Sequence, residues 1–180
     1  MALKFNQLLA KYVTGNIPAG NLPEVAITGI SEGLKSDSLY ILAGLSKNES
    51  SFEIEHYLAL ALSELQIIQL DKRQAALEYA LAITEEVIEG NKDVIIGIKE
   101  IKNKAIDSYD FYTETKEYVY DSIGFESLYG LYGTYDDLTD INPPLKSDLA
   151  SIEEVRKEMF DELKKWQDKL TVLLGINSPR

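Results

Sequence analysis

The sequence predicts an all-α fold, six to eight helices packed as antiparallel hairpins in one compact bundle-like domain. Three observations predict it. Apolar residues recur at helical spacing along almost the whole chain. Capping residues and glycines fall at the ends of the periodic segments. The connections are short, about two to eight residues, the length that usually joins antiparallel neighbours. No self-similar period is present, which argues against a regular repeat solenoid.

Leu3 to Val13 reads as the first helix, and Asn21 followed by Pro23 opens a second that carries Ala26, Ile27, Ile30 and Leu34. Ser36 or Asp37 caps a short third helix ending near Gly44. Ser50 and Glu53 have capping-box spacing, ahead of a face formed by Ile54, Leu58, Ala61, Leu65 and Ile68. Leu60 and Leu62 widen that stripe and predict a central helix. Asp71 caps the next, whose face of Ala76, Ala80, Ile83 and Val87 is small enough to admit a close neighbour before Gly90 ends it. Asp93 then caps a helix with Val94, Ile98, Ile101 and Ala105 on one side. The branched residues Val94, Ile95, Ile96 and Ile98 would also suit a strand, but the spacing decides for helix.

The clearest element is the last, about 148 to 174, where Ile152, Val155, Met159, Leu163, Trp166, Leu170 and Leu173 recur at steps of three and four. Glu153 with Lys157 and Asp161 with Lys165 are spaced for ion pairs, and Gly175 and Pro179 stop the helix. Trp166 lies on the apolar stripe and is expected in the core. The interval from Tyr109 to Pro144 is different. It holds Tyr109, Tyr112, Tyr118, Tyr120, Tyr129, Tyr132 and Tyr135, more than half of the 11 tyrosines, together with Gly124, Gly130 and Gly133. Helical periodicity weakens there, so residues 109–144 are expected to be irregular, and Asn142-Pro143-Pro144 separates them from the last helix.

Composition narrows the function. A chain of 180 residues can bury roughly 70% of its unfolded surface in one domain, here 1–180, without staples. With no cysteine there are no disulfides, thiolate metal ligands or thiol nucleophiles, which fits a reducing, cytoplasmic setting. No signal peptide or spanning segment is legible. A formal charge of −12 repels phosphate, so nucleic acid is not an expected partner, and without a spanning segment neither is the membrane. Lys99, Lys102 and Lys104, interrupted by Glu100, read as a solvated helix face. The same charge suits a basic protein.

Catalytic and metal motifs are weak. Glu53 and His56 have the Glu-x-x-His spacing of di-iron carboxylate bundles, but His56 is the only histidine and no second pair exists. Asp136-Asp137-Leu138-Thr139-Asp140 spells the magnesium-binding pattern of isoprenoid synthases, without the second metal motif those longer enzymes carry. Gly130-x-x-Gly133 lacks the spacing and lysine of a phosphate loop, and a serine nucleophile would have only His56 as a histidine base. No cofactor is expected.

Gly33-Leu34-Lys35-Ser36-Asp37-Ser38-Leu39, closing in Leu42-Ala43-Gly44-Leu45, resembles an element of small acidic all-helical proteins of bacteria. In these it precedes a long helix, and a later glycine-marked break is similar to Ile88-Glu89-Gly90-Asn91. The resemblance spans residues 33 to 140. It implies a helical bacterial protein of a group without an assigned activity, and it supplies no catalytic residues.

The reading is a non-enzymatic protein–protein interaction module, of the kind that serves as immunity or antitoxin partner of a basic protein. The expected partner surface is Tyr129, Tyr132, Tyr135, Asp136, Asp137 and Asp140, because tyrosine is enriched at interface hot spots and aspartates supply a negative field. The alternative is a small ligand binder or metal-dependent enzyme that uses carboxylates and tyrosines between helices.

Overall fold

A computed structural model describes residues 3–115, 120–140, 145–146 and 148–176. Among these the fold is all-α, with nine α-helices and no strand. The chain forms two compact units, Met1–Tyr79 and Ala80–Arg180. The boundary falls inside one helix.

The first unit contains α1 (Phe5–Val13), α2 (Leu22–Ser31), α3 (Asp37–Gly44), α4 (Ser51–Glu64) and the start of α5 (Lys72–Ile88). Its core is built from Phe5 and Leu9 of α1, Leu22, Val25 and Ala26 of α2, Leu39 and Leu42 of α3, and Ile54, Leu58, Ala61 and Leu62 of α4. Capping residues place the elements. The Ser36 hydroxyl accepts from the Leu39 N–H, Ser50 from the Glu53 N–H, and Asp71 from the Gln74 N–H. Glu64, at the end of α4, then ties that helix to the start of α3, accepting from the hydroxyls of Ser36 and Ser38, each at 2.5 Å, and from the Ser38 N–H. These bonds hold its carboxyl below the usual carboxylate range.

Helix α4 is less central than its pattern predicts. Leu62 is buried, but Leu60 is 40% exposed. The helix stops at Glu64, where Gln66 takes a left-handed φ of 55°, so Ile68 leaves the apolar face and stands 85% exposed. The apolar spacing alone does not show this stop.

The second unit holds the rest of α5, then α6 (Val94–Glu100), α7 (Tyr112–Thr115), α8 (Glu126–Thr139) and α9 (Leu149–Leu173). Asp93 caps α6 through the N–H groups of Ile95 and Ile96. Gly97 of α6 lies against Val87 and Ile83 of α5: a Cβ on it would come within 2.2 Å of Val87 Cγ2, so a larger residue there would force that side chain to move. Lys92 spans the two helices, with Glu86 at 2.7 Å and Glu100 at 2.6 Å. Burial lowers the affinity of its amine for a proton, but the two carboxylates more than offset this and raise it.

Helix α6 does not end as a simple helix. It passes into a π-helical turn, Ile101–Ala105, and a 3-10 turn, Ile106–Ser108. Lys102, in the π turn, is partly buried, whereas Lys99 and Lys104 are exposed as a solvated face would have them. Helix α9 matches its pattern: Ile152, Val155, Met159, Leu163 and Leu170 are buried. Trp166 is 3% exposed, packs on Phe125 with centroids 4.9 Å apart, and donates its indole N–H to the Ile123 carbonyl at 2.9 Å. Lys165 closes on Glu162 at 2.8 Å. The Asn142-Pro143-Pro144 break, Tyr118 and Pro179 lie outside the described residues.

Candidate functional site

Within the tyrosine-rich interval, fourteen residues form α8. Its inward side is set by Leu128, which is fully buried, with Leu131, Tyr132, Tyr135 and Leu138 partly buried beside it. Tyrosines three residues apart do not stay in line. Each step falls about 60° short of a full turn, so Tyr129 and Tyr135 end up roughly 120° apart around the helix.

The six expected surface residues therefore divide. Tyr129 is 44% exposed, and Asp136, Asp137 and Asp140 are exposed. Tyr132 and Tyr135 turn partly inward, Tyr135 on the side of Arg156 of α9. Arg156 in turn donates to Asp93 at 2.5 Å. Burial pushes the Asp93 carboxyl up, but Arg156 and the capped N–H groups outweigh it and hold the carboxyl below its usual range.

The outward face of α8 breaks two helix rules. Gly130 and Gly133 lie on it in mid-helix, and a Cβ at either position would meet nothing within 4 Å. Neither glycine is needed for packing within the described residues, although each costs the helix about 1 kcal/mol relative to alanine. The last turn carries Asp136, Asp137 and the capping Asp140 with no basic residue, so acids sit at the negative end of the helix dipole. That placement opposes helix stability by roughly 0.3–1 kcal/mol for each interacting charge.

A cluster that motif reasoning missed adjoins the N-terminal end of this face. The Tyr120 and Tyr129 rings lie 4.9 Å apart, and the Lys102 ammonium sits 5.9 Å from the Tyr129 ring centroid and 3.3 Å from Asp107. Burial pushes the Tyr120 hydroxyl above its ordinary range, and burial lowers Lys102 less than Asp107 and the tyrosines raise it. Both groups therefore keep their protons near neutrality, and the Lys102 charge stays in place beside the exposed ring. Lys102 reaches this cluster from the π turn that follows α6, and a π turn has no reliable sequence signal.

The other sequence candidates do not converge. His56 is exposed, with its ring edge against Tyr57. Among the described residues, no three His, Cys, Asp or Glu side chains are placed to share a metal ion, and no helix is long and apolar enough to cross a membrane. In comparisons with known proteins, no family model, no curated protein and no solved structure matches this chain.

Proposed function

We propose that this protein is a non-enzymatic interaction module of the cytoplasm, whose outward face of α8 docks a basic partner protein, as an immunity or antitoxin protein docks its target. One observation carries the reading: at one exposed face the helix gives up stability twice, through Gly130 and Gly133 and through Asp136, Asp137 and Asp140. Departures from local helix rules are expected where function competes with stability. The glycines let a partner's backbone come close, and the aspartates draw lysine and arginine side chains toward it. Tyr129 supplies an exposed, amphipathic ring at the edge of the face, steadied by Tyr120 and Lys102.

Asp136, Asp137 and Asp140 are each exposed, as side chains that meet a basic surface must be. The formal charge of −12 adds long-range attraction for such a partner and repels a second copy of the chain. A photo-crosslinking amino acid at Gly133 in the native host tests the reading. The expected adduct is a basic protein, and its yield should collapse in the double variant Asp136→Lys, Asp137→Lys. An acidic adduct, or one indifferent to the charge reversal, would refute it.

A further inference from the structure

An open groove of about 430 Å³ lies between α1 and α2 of the first unit, far along the chain from α8. Its apolar surface comes from Leu8, Ile17 and Val25, and its polar edge carries Lys11 and Asn21. Two features set it apart from an ordinary crevice between helices. Among the described residues the Lys11 ammonium has no carboxylate partner; it sits 5.6 Å from the centroid of the buried Tyr79 ring. Asn21 ends the 3-10 turn Ala19–Asn21 that runs directly into α2, so its φ of −95° and ψ of −6° are helical and its side chain makes no capping bond. Its amide is left to bond something else.

The nearby acid does not cancel Lys11. Glu24, also on the groove, is paired with Lys47 at 2.5 Å. Of the two charged side chains that line the groove, Lys11 and Glu24, only Lys11 is without a salt-bridge partner among the described residues. A volume of this size suits a small organic molecule, and such sites combine an apolar surface with a few convergent polar groups.

We infer that the α1–α2 groove binds a small organic monocarboxylate with a branched aliphatic or aromatic body, its carboxylate held by Lys11 and Asn21. The ammonium pairs with one carboxylate oxygen and the Asn21 amide donates to the other, while the body covers Leu8, Ile17 and Val25. One cation beside Glu24 matches a monoanion and disfavours a dianion such as phosphate. This site is independent of the partner surface on α8, and either can fail without the other.

The test is an amide-resolved NMR titration of the full chain with 4-methylpentanoate, phenylacetate, their primary amides, N-acetyl-leucine and inorganic phosphate. The acids should give saturable shifts confined to the amides around Lys11, Ile17, Asn21 and Val25, whereas the primary amides and phosphate should give none. Lys11→Met should weaken acid binding by about tenfold or more, since hydrogen bonds to charged groups are the strong ones. Lys11→Arg should retain it, and Asn21→Ala should weaken it less. Tighter binding of N-acetyl-leucine than of 4-methylpentanoate would assign the carboxylate to a peptide C-terminus, and the reverse order to a free acid. No saturable shift with any acid, equal binding of phosphate or the primary amides, or a Lys11→Met variant that binds as the parent does, would overturn the assignment.

Discussion

Gln66 occupies a backbone position that glycine takes at four other helix ends. At Gly15, Gly33, Gly90 and Gly175 the chain turns to positive φ, and paired backbone bonds close the turn, as in Gly15 N–H to the Tyr12 carbonyl and Asn16 N–H to the Lys11 carbonyl. After α4 the same pair runs from Gln66 to Ser63 and from Ile67 to Leu62, but with a side chain on the left-handed residue. Gln66→Gly should therefore stabilise the protein by about 1 kcal/mol, read as a higher urea midpoint with unchanged slope. A lower midpoint would mean that the glutamine side chain holds the turn. The converse applies on α8. Gly130→Ala and Gly133→Ala should each stabilise by up to about 1 kcal/mol, because the added methyl meets nothing, while weakening capture of the partner. Destabilisation would show that chain packs on that face after all.

At the scale of elements, the helix starts were the most legible part of the fold. Ser36, Ser50, Asp71 and Asp93 each cap the helix the spacing assigns to them, because capping is settled within four residues. The stripe of α9 was legible for the same reason, and Trp166 lies in the core as its register implies. Trp166→Phe should cost roughly 1–3 kcal/mol, since it removes the donor to the buried Ile123 carbonyl bond, and Trp166→Ala about 3–5 kcal/mol. Equal stability of parent and alanine variant in denaturant would contradict the burial. The π turn after α6 was not legible, because Ile101 to Ala105 continue the apolar spacing of a plain helix. Nor was the rotation of α8, whose tyrosines could be assigned inward or outward only once Leu128 had set its buried side. Asp93 links two elements through Arg156 of α9. Its carboxyl has an ordinary value of about 3.9 in the unfolded chain and a lower one in the folded protein, so its contribution is full above that ordinary value and is lost as pH falls through the folded one. Asp93→Asn should lose less stability than the parent between about pH 5 and pH 3, measured by urea denaturation. Parallel losses would exclude Asp93 as a source of acid sensitivity.

At the scale of the whole molecule, the charge of −12 was legible from composition, and so was the absence of cysteine chemistry. Where the negative field meets a surface open to a partner was legible only in part. Asp136, Asp137 and Asp140 emerge on the outward face, but two of the three tyrosines proposed with them turn partly inward. The claim that this face meets a basic partner is tested most directly by stopped-flow association of the cross-linked partner, once purified, with the parent and with Asp136→Lys, Asp137→Lys. Electrostatic steering predicts that the double change slows association by about tenfold or more at low salt, that the difference shrinks toward none at about 1 M salt, and that the melting temperature hardly moves. Association at the parent's rate at every ionic strength would contradict the assignment of α8 as the docking face.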